Sequence, residues 1–127
     1  SGVFFKCVNL ISAKLSENIA ELPKGLFAEC ANLRHVSIPS KTAAIGDSAF
    51  NNCASLTDVV LPETLTKIGA GAFMGCRSLK TLYIPASVTE IGGNAFSDTN
   101  NAFICVKQGS YAAQFITNEK LSNVEFI

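Results

Sequence analysis

Phe4, Phe27, Phe50, Phe73 and Phe96 stand 23 residues apart along the chain. Cys7, Cys30, Cys53 and Cys76 follow the first four of them three residues later, with Thr99 in the fifth place. Leu10, Leu33, Leu56 and Leu79 come three further on, then Val36, Val59 and Leu82, then Ile38, Leu61 and Ile84. Pro39, Pro62 and Pro85 follow directly. Ile45-Gly46, Ile68-Gly69 and Ile91-Gly92 close the unit before Ala49, Ala72 and Ala95 lead back into phenylalanine. A unit this short cannot bury its own apolar face, so a fixed period of this length specifies a solenoid whose coils cover one another.

The unit also says what each coil is made of. Val36 and Ile38 alternate as an inward-facing strand requires. The proline behind them has no N–H to give, so it ends the ladder and starts a turn. The glycine after Ile45, Ile68 and Ile91 either takes a positive φ or lets neighbouring coils approach closely. Leu65 and Val88, with Ile68 and Ile91, indicate a second short extended segment. The Ala-Phe-x-x-Cys stretch is expected to make a short helical turn on the outer side, stacking a phenylalanine spine through the solenoid.

The unit Leu-x-x-(Val/Leu)-x-(Ile/Leu)-Pro, then Ile-Gly-x-x-Ala-Phe-x-x-Cys, resembles the BspA-like leucine-rich repeat family over roughly Ser1 to Asp98. Ordinary leucine-rich repeats carry Asn or Cys where this chain holds Asn18, Lys41, Thr64 and Ser87, so the usual asparagine ladder is absent. The first unit departs most, with Ser16 for proline and Leu22-Pro23 for Ile-Gly. The resemblance implies a repeat solenoid, a right-handed leucine-rich-repeat fold that is mainly β with short helical turns. It also implies a non-catalytic protein-binding module of a bacterial cell-surface or secreted protein. Such a module adheres to host matrix proteins or other cells through its concave strand face. The alternative is a structural spacer that displays a neighbouring domain of a longer protein.

The ends differ from the middle. After Phe96 the pattern decays, and Cys105 and Lys107 fall on strand positions. Ser110 suits a helix N-cap, and Tyr111, Ala112, Phe115 and Ile116 share one helix face. Leu121, Val124 and Phe126 supply a last strand. The expected organisation is a solenoid of about four and a half coils over residues 1–108 and a strand-helix-strand cap completed by residues 109–127. Ser1-Gly2-Val3-Phe4 falls within a repeat, so the chain reads as the C-terminal piece of a longer array, truncated at its N-terminus.

Composition narrows the function. Ten basic and ten acidic residues give no net charge, which removes the footprint of a nucleic-acid binder or an anionic-membrane binder. No apolar run approaches the ~18 residues that span a bilayer. The five cysteines are expected to be free, because coils stacked ~4.8 Å apart do not bring Cβ atoms to the ~3.8 Å of a disulfide. No metal-ligand spacing, phosphate loop or opposed carboxylate pair is present, so no cofactor, no metal and no enzymatic activity are expected. His35, the one imidazole, stands on an outward position while Cys30 and Cys53 point into the core, which argues against a Cys–His nucleophile.

What remains is surface. Three outward rows follow from the phase: Ile11, Arg34, Thr57, Lys80, Phe103; Ser12, His35, Asp58, Thr81, Ile104; and Lys14, Ser37, Val60, Tyr83, Val106. Arg34, His35, Asp58, Val60, Lys80 and Tyr83 are the candidate protein-binding residues. Val60, Tyr83, Phe103, Ile104 and Val106 form one exposed apolar patch unless the cap folds over Phe103 to Val106.

Overall fold

The computed structural model describes residues 4–99, 102–119 and 124–127. Five short strands succeed one another on one side: β1 (Ser12–Lys14), β3 (His35–Ser37), β5 (Asp58–Val59), β7 (Thr81–Ile84) and β9 (Phe103–Val106). Between them lie β2 (Glu21–Leu22), β4 (Ala44–Ile45), β6 (Lys67–Ile68) and β8 (Glu90–Ile91), followed by α1 (Tyr111–Glu119) and β10 (Val124–Phe126). The sheets run β1-β3-β5, β7-β9-β10 and β2-β4-β6-β8, and every pairing is parallel. The chain therefore winds through about five turns of a parallel β-solenoid.

Each proline closes the first ladder as its chemistry requires. The carbonyls of Pro39, Pro62 and Pro85 accept the N–H groups of Thr42, Leu65 and Val88 at 3.0–3.1 Å, making the corner that leads into the second ladder. The glycine alternatives resolve in favour of close approach. Gly46, Gly69 and Gly92 do not take a positive φ, and each donates its N–H to the coil before it at 2.8 Å.

The third side corrects the expected helical turn. Two columns of residues are left-handed, with φ between 57° and 78°: Gly25, Ser48, Gly71 and Asn94, and then Lys6, Glu29, Asn52, Gly75 and Asp98. Each left-handed residue turns a peptide over, so successive N–H groups point in different directions. Leu26, Ala28 and Cys30 bond to carbonyls three residues back, whereas Gly25, Phe27 and Glu29 donate to Asp47, Ala49 and Asn51 of the next coil at 2.8–2.9 Å. A helix would spend every N–H inside its own coil. The alternating turn costs ~1–2 kcal/mol at each non-glycine left-handed residue and gains a hydrogen-bonded ladder on the third side.

The core is the repeat seen end-on. Phe4, Phe27, Phe50, Phe73 and Phe96 stack with centroids 5.2–5.9 Å apart and ring planes within 19° of parallel. Phe115 of α1 meets Phe96 edge-on at 6.5 Å and ends the spine. Towards the N-terminal end Phe4, Leu10, Leu15 and Ile19 are half-buried, and Phe5, Val8 and Ile11 are exposed.

The last coil is one residue short. Phe103 still donates its N–H to the Lys80 carbonyl, 23 positions back, but Leu82 lies opposite Ile104 and Ile84 opposite Val106. A slip of one residue exchanges the two faces of a strand. Ile104 and Val106 therefore point inward and are buried, while Phe103 and Cys105 face outward, which corrects the placing of Ile104 and Val106 in the outward rows and of Lys107 at a strand position, since it lies beyond β9. The reason is energetic: the unshifted phase would bury Lys107 and expose two β-branched side chains. In α1, Ser110 Oγ accepts the Ala113 N–H at 3.1 Å as an N-cap does. Its buried face is Ala112, Ala113 and Ile116, and Tyr111 is exposed in the place assigned to it on that face. β10 continues the sheet beside β9; Leu121 lies outside the described residues.

Candidate functional site: the strand face

The outward positions of β1, β3, β5 and β7 stand as the phase predicts. Arg34, His35, Asp58 and Lys80 are exposed, Val60 is 79% exposed, and Tyr83 is half-buried. The ladder brings Ser12, His35 and Asp58 to one row, since Ser12 pairs with His35 and His35 with Asp58. His35 Nδ1 lies 3.2 Å from Asp58 Oδ2. The Thr57 hydroxyl lies 3.2 Å from the same carboxylate oxygen and 3.3 Å from the Arg34 carbonyl. Lys80 belongs to the Arg34 row two coils further on, and Val60 and Tyr83 share the next row. A depression of about 460 Å³ opens among Lys14, His35, Ser37, Ile38 and Val60.

The apolar patch is smaller than the phase suggested. Ile104 and Val106 leave it because of the one-residue slip, while Phe103 stays out at 54% exposure, so the cap does not cover it. The Thr57 hydroxyl, which fixes Asp58, was missed by sequence reasoning; a threonine next to the aspartate was the available signal.

Ser12, His35 and Asp58 together are the residue types of a nucleophilic relay. A relay needs the serine hydroxyl on the imidazole nitrogen opposite the aspartate. Among the described residues the contact is His35 to Asp58 and no hydrogen bond joins Ser12 to His35. The row therefore holds a His–Asp contact without the serine link of a relay.

The cysteine column is structural. The Cys30, Cys53 and Cys76 thiols donate to the Phe4, Phe27 and Phe50 carbonyls of the preceding coil at 2.8, 3.1 and 3.2 Å. All five cysteines are free, and Cys30, Cys53 and Cys76 are buried. Burial pushes the Cys76 thiol up to about 12 and raises Cys53 further, so neither offers a thiolate near neutral pH. Cys105, on the strand face, is also raised by desolvation, with Glu125 3.9 Å away adding to it.

A pH dependence follows. Above the ordinary value of 9.0 the unfolded chain loses these protons while the folded chain keeps them. Folding stability is then full below pH 9 and falls as pH rises toward 12, by about 1.4 kcal/mol per pH unit for each thiol. Denaturant melts at pH 8, 9.5 and 10.5 should show a steeper alkaline loss in the native sequence than in a Cys53→Ala, Cys76→Ala variant. Equal slopes would contradict the protonated column.

A short strand, a proline corner, a second short strand and a tight return, repeated with one phenylalanine per turn, define a leucine-rich-repeat solenoid. Residues 1–108 match the BspA type Leucine rich repeat region in six copies, and the chain belongs to that family. The fold is similar to a leucine-rich repeat protein of T. pallidum, at 32% identity and a TM-score of 0.80 over 84% of this chain and 50% of that one. It is also similar to one from Bacteroides ovatus, at 32% identity and TM-score 0.74 over 80% of this chain and 26% of that one. A leucine rich cell surface protein of Faecalibacterium prausnitzii is 28% identical, with TM-score 0.77 over 91% of this chain and 31% of that one. The chain thus spans half or less of the length of each of these relatives. No curated protein sequence is similar enough to match it. Repeats of this type are generally non-catalytic, and they occur in bacterial surface proteins. Among the described residues no helix is long and apolar enough to cross a membrane.

Proposed function

We propose that this chain is a protein-binding module, residues 1–108 forming the recognition solenoid and residues 109–127 closing it, and that it acts at the cell surface or as part of a secreted protein. Its partner is a host extracellular or cell-surface protein, and adhesion is the outcome. The observation that carries this reading is the strand face itself: three successive coils present Arg34, His35, Asp58, Val60, Lys80 and Tyr83 outward. Arg and Tyr are frequent anchors of protein interfaces, and an exposed valine beside them adds desolvation energy when covered. The likeness to a cell surface protein of Faecalibacterium supports the location.

A binding screen against extracellular-matrix and plasma proteins tests it, with a Tyr83→Ala, Arg34→Ala variant alongside. The expected result is a bound protein whose affinity falls at least tenfold in the variant, about 1.4 kcal/mol. A partner held equally well by both chains would sink the strand-face assignment. Binding by neither chain would favour a spacer that displays a neighbouring domain.

A further inference from the structure

We infer that the strand face selects an acidic extended segment of its partner protein, seated over the first four coils. Its carboxylates lie on Lys14, Arg34 and Lys80, and an apolar side chain covers Val60 and Tyr83. This rests on the strand face being the binding face and names the chemistry that face selects.

The distribution of charge carries the inference. The chain as a whole is balanced at ten basic and ten acidic residues. The outward positions of its first four coils are not: they hold Lys14, Arg34 and Lys80 against the single carboxylate of Asp58. That carboxylate is already engaged, by His35 Nδ1 at 3.2 Å and by the Thr57 hydroxyl at 3.2 Å. Among the described residues the ion pairs are His35–Asp58 and Lys67–Glu90, and neither includes Lys14, Arg34 or Lys80. Three cations without an internal counter-charge on one side of the solenoid create a positive field toward an approaching partner. Such complementarity sets specificity and association rate.

Spacing and apolar exposure narrow the partner to a peptide. Adjacent strands lie ~4.8 Å apart, so Arg34 and Lys80, two coils apart, rise from points about 10 Å apart, the length of about three residues of extended chain. Val60, 79% exposed, lines the 460 Å³ depression, and half-buried Tyr83 follows it one coil further on in the same row. A peptide brings carboxylates and an apolar side chain together, which a sulfated glycan does not. Glu125 on β10, against Cys105, places a negative charge at the far edge and keeps the acidic segment over the earlier coils.

Calorimetric titration of the full chain tests this with a ten-residue peptide in which Glu and Asp flank a central Phe, and with its Gln/Asn twin. The acidic peptide should bind at least tenfold more tightly than the twin. That advantage should disappear in ~1 M salt, where screening shortens to about 3 Å. An Arg34→Glu, Lys80→Glu variant should lose the acidic peptide at least tenfold with an unchanged melting temperature, because both residues are exposed. Equal binding of the two peptides, lost together in Val60→Asp, would overturn acidic selection while leaving the strand face as the binding face. Binding of neither peptide would overturn the inference. Heparin held more tightly than the acidic peptide would overturn it in favour of a glycan.

Discussion

Replacing Phe50 by alanine should lower stability by about 3–5 kcal/mol, the range for removing a fully buried aromatic side chain. Phe50 has no exposed surface and stacks on Phe27 at 5.5 Å and on Phe73 at 5.2 Å. Neither neighbour can move in to fill the gap. The Phe27 N–H is tied to the Ala49 carbonyl, the Phe50 N–H to Ala72 and the Phe73 N–H to Ala95, each at 2.8 Å. A solenoid coil touches only the coils beside it, so the cavity also weakens the junction between the two halves of the array. The melting temperature should fall by roughly 10–20 °C, at ~4 °C per kcal/mol for a chain of this size. Phe103→Ala is the matched control: that ring is 54% exposed, and its loss should change stability by no more than about 0.5 kcal/mol. Comparable losses at the two positions would contradict the phenylalanine spine.

The second large effect is at a glycine. A Cβ on Gly92 would lie 2.3 Å from the Ala70 nitrogen, 2.5 Å from Ala70 Cα and 2.9 Å from the Gly69 carbonyl carbon. All three are backbone atoms of the preceding coil, so no side chain can swing aside. Relief requires the coils to separate, which stretches the 2.8 Å bond from the Gly92 N–H to the Ile68 carbonyl. Gly92→Ala should cost about 3 kcal/mol, the upper end for overpacking. Its neighbour supplies the contrast. A Cβ on Gly93 meets nothing within 4 Å, and its φ is not positive, so Gly93→Ala should be neutral or stabilising by up to ~1 kcal/mol. Chemical melts of the two variants decide the matter, and equal stabilities would contradict close contact between coils at this corner.

These two residues also show what made the fold legible. Phe50 and Gly92 recur in phase because each position meets its own image in the next coil, so the physical constraint repeats with the sequence. The strand ladder, the proline corners, the second ladder and the spine all follow from that. The third side did not, because its left-handed columns hold Lys, Glu, Asn, Gly and Asp in one case and Gly, Ser and Asn in the other. What matters there is a backbone conformation that several residue types reach, so no residue signature repeats. At the last strand the period fails for another reason. Counting 23 residues on from Leu82 turns Cys105 inward, whereas the alternation of Phe103, Ile104, Cys105 and Val106 already opposes Ile104 and Val106 to the other two. Burial of apolar surface outweighed the period. Tyr111 fell to the same competition, since Ala113 fits against the solenoid and the phenol has water to bond.

The candidate site was readable to the level of rows. Outward positions through the fourth coil follow from alternation, and Asp58 stands 23 residues after His35 in the same row. The 3.2 Å contact between them, and the Thr57 hydroxyl that supports it, depend on side-chain rotamers, which a period does not specify. Lys14, Arg34 and Lys80 outnumber the one carboxylate of this face, and neither ion pair among the described residues includes them.

Hydroxyl-radical footprinting of the chain with and without the protein recovered in the binding screen tests the proposed strand-face recognition most directly, because it reads side chains rather than amides already held in the ladders. His35, Tyr83 and Phe103 report on the strand face, and Met74, half-buried on the turn side, reports on the opposite one. Protection of His35 and Tyr83 with Met74 unchanged is the predicted result. Protection of Met74 with the strand-face residues still fully reactive would contradict it.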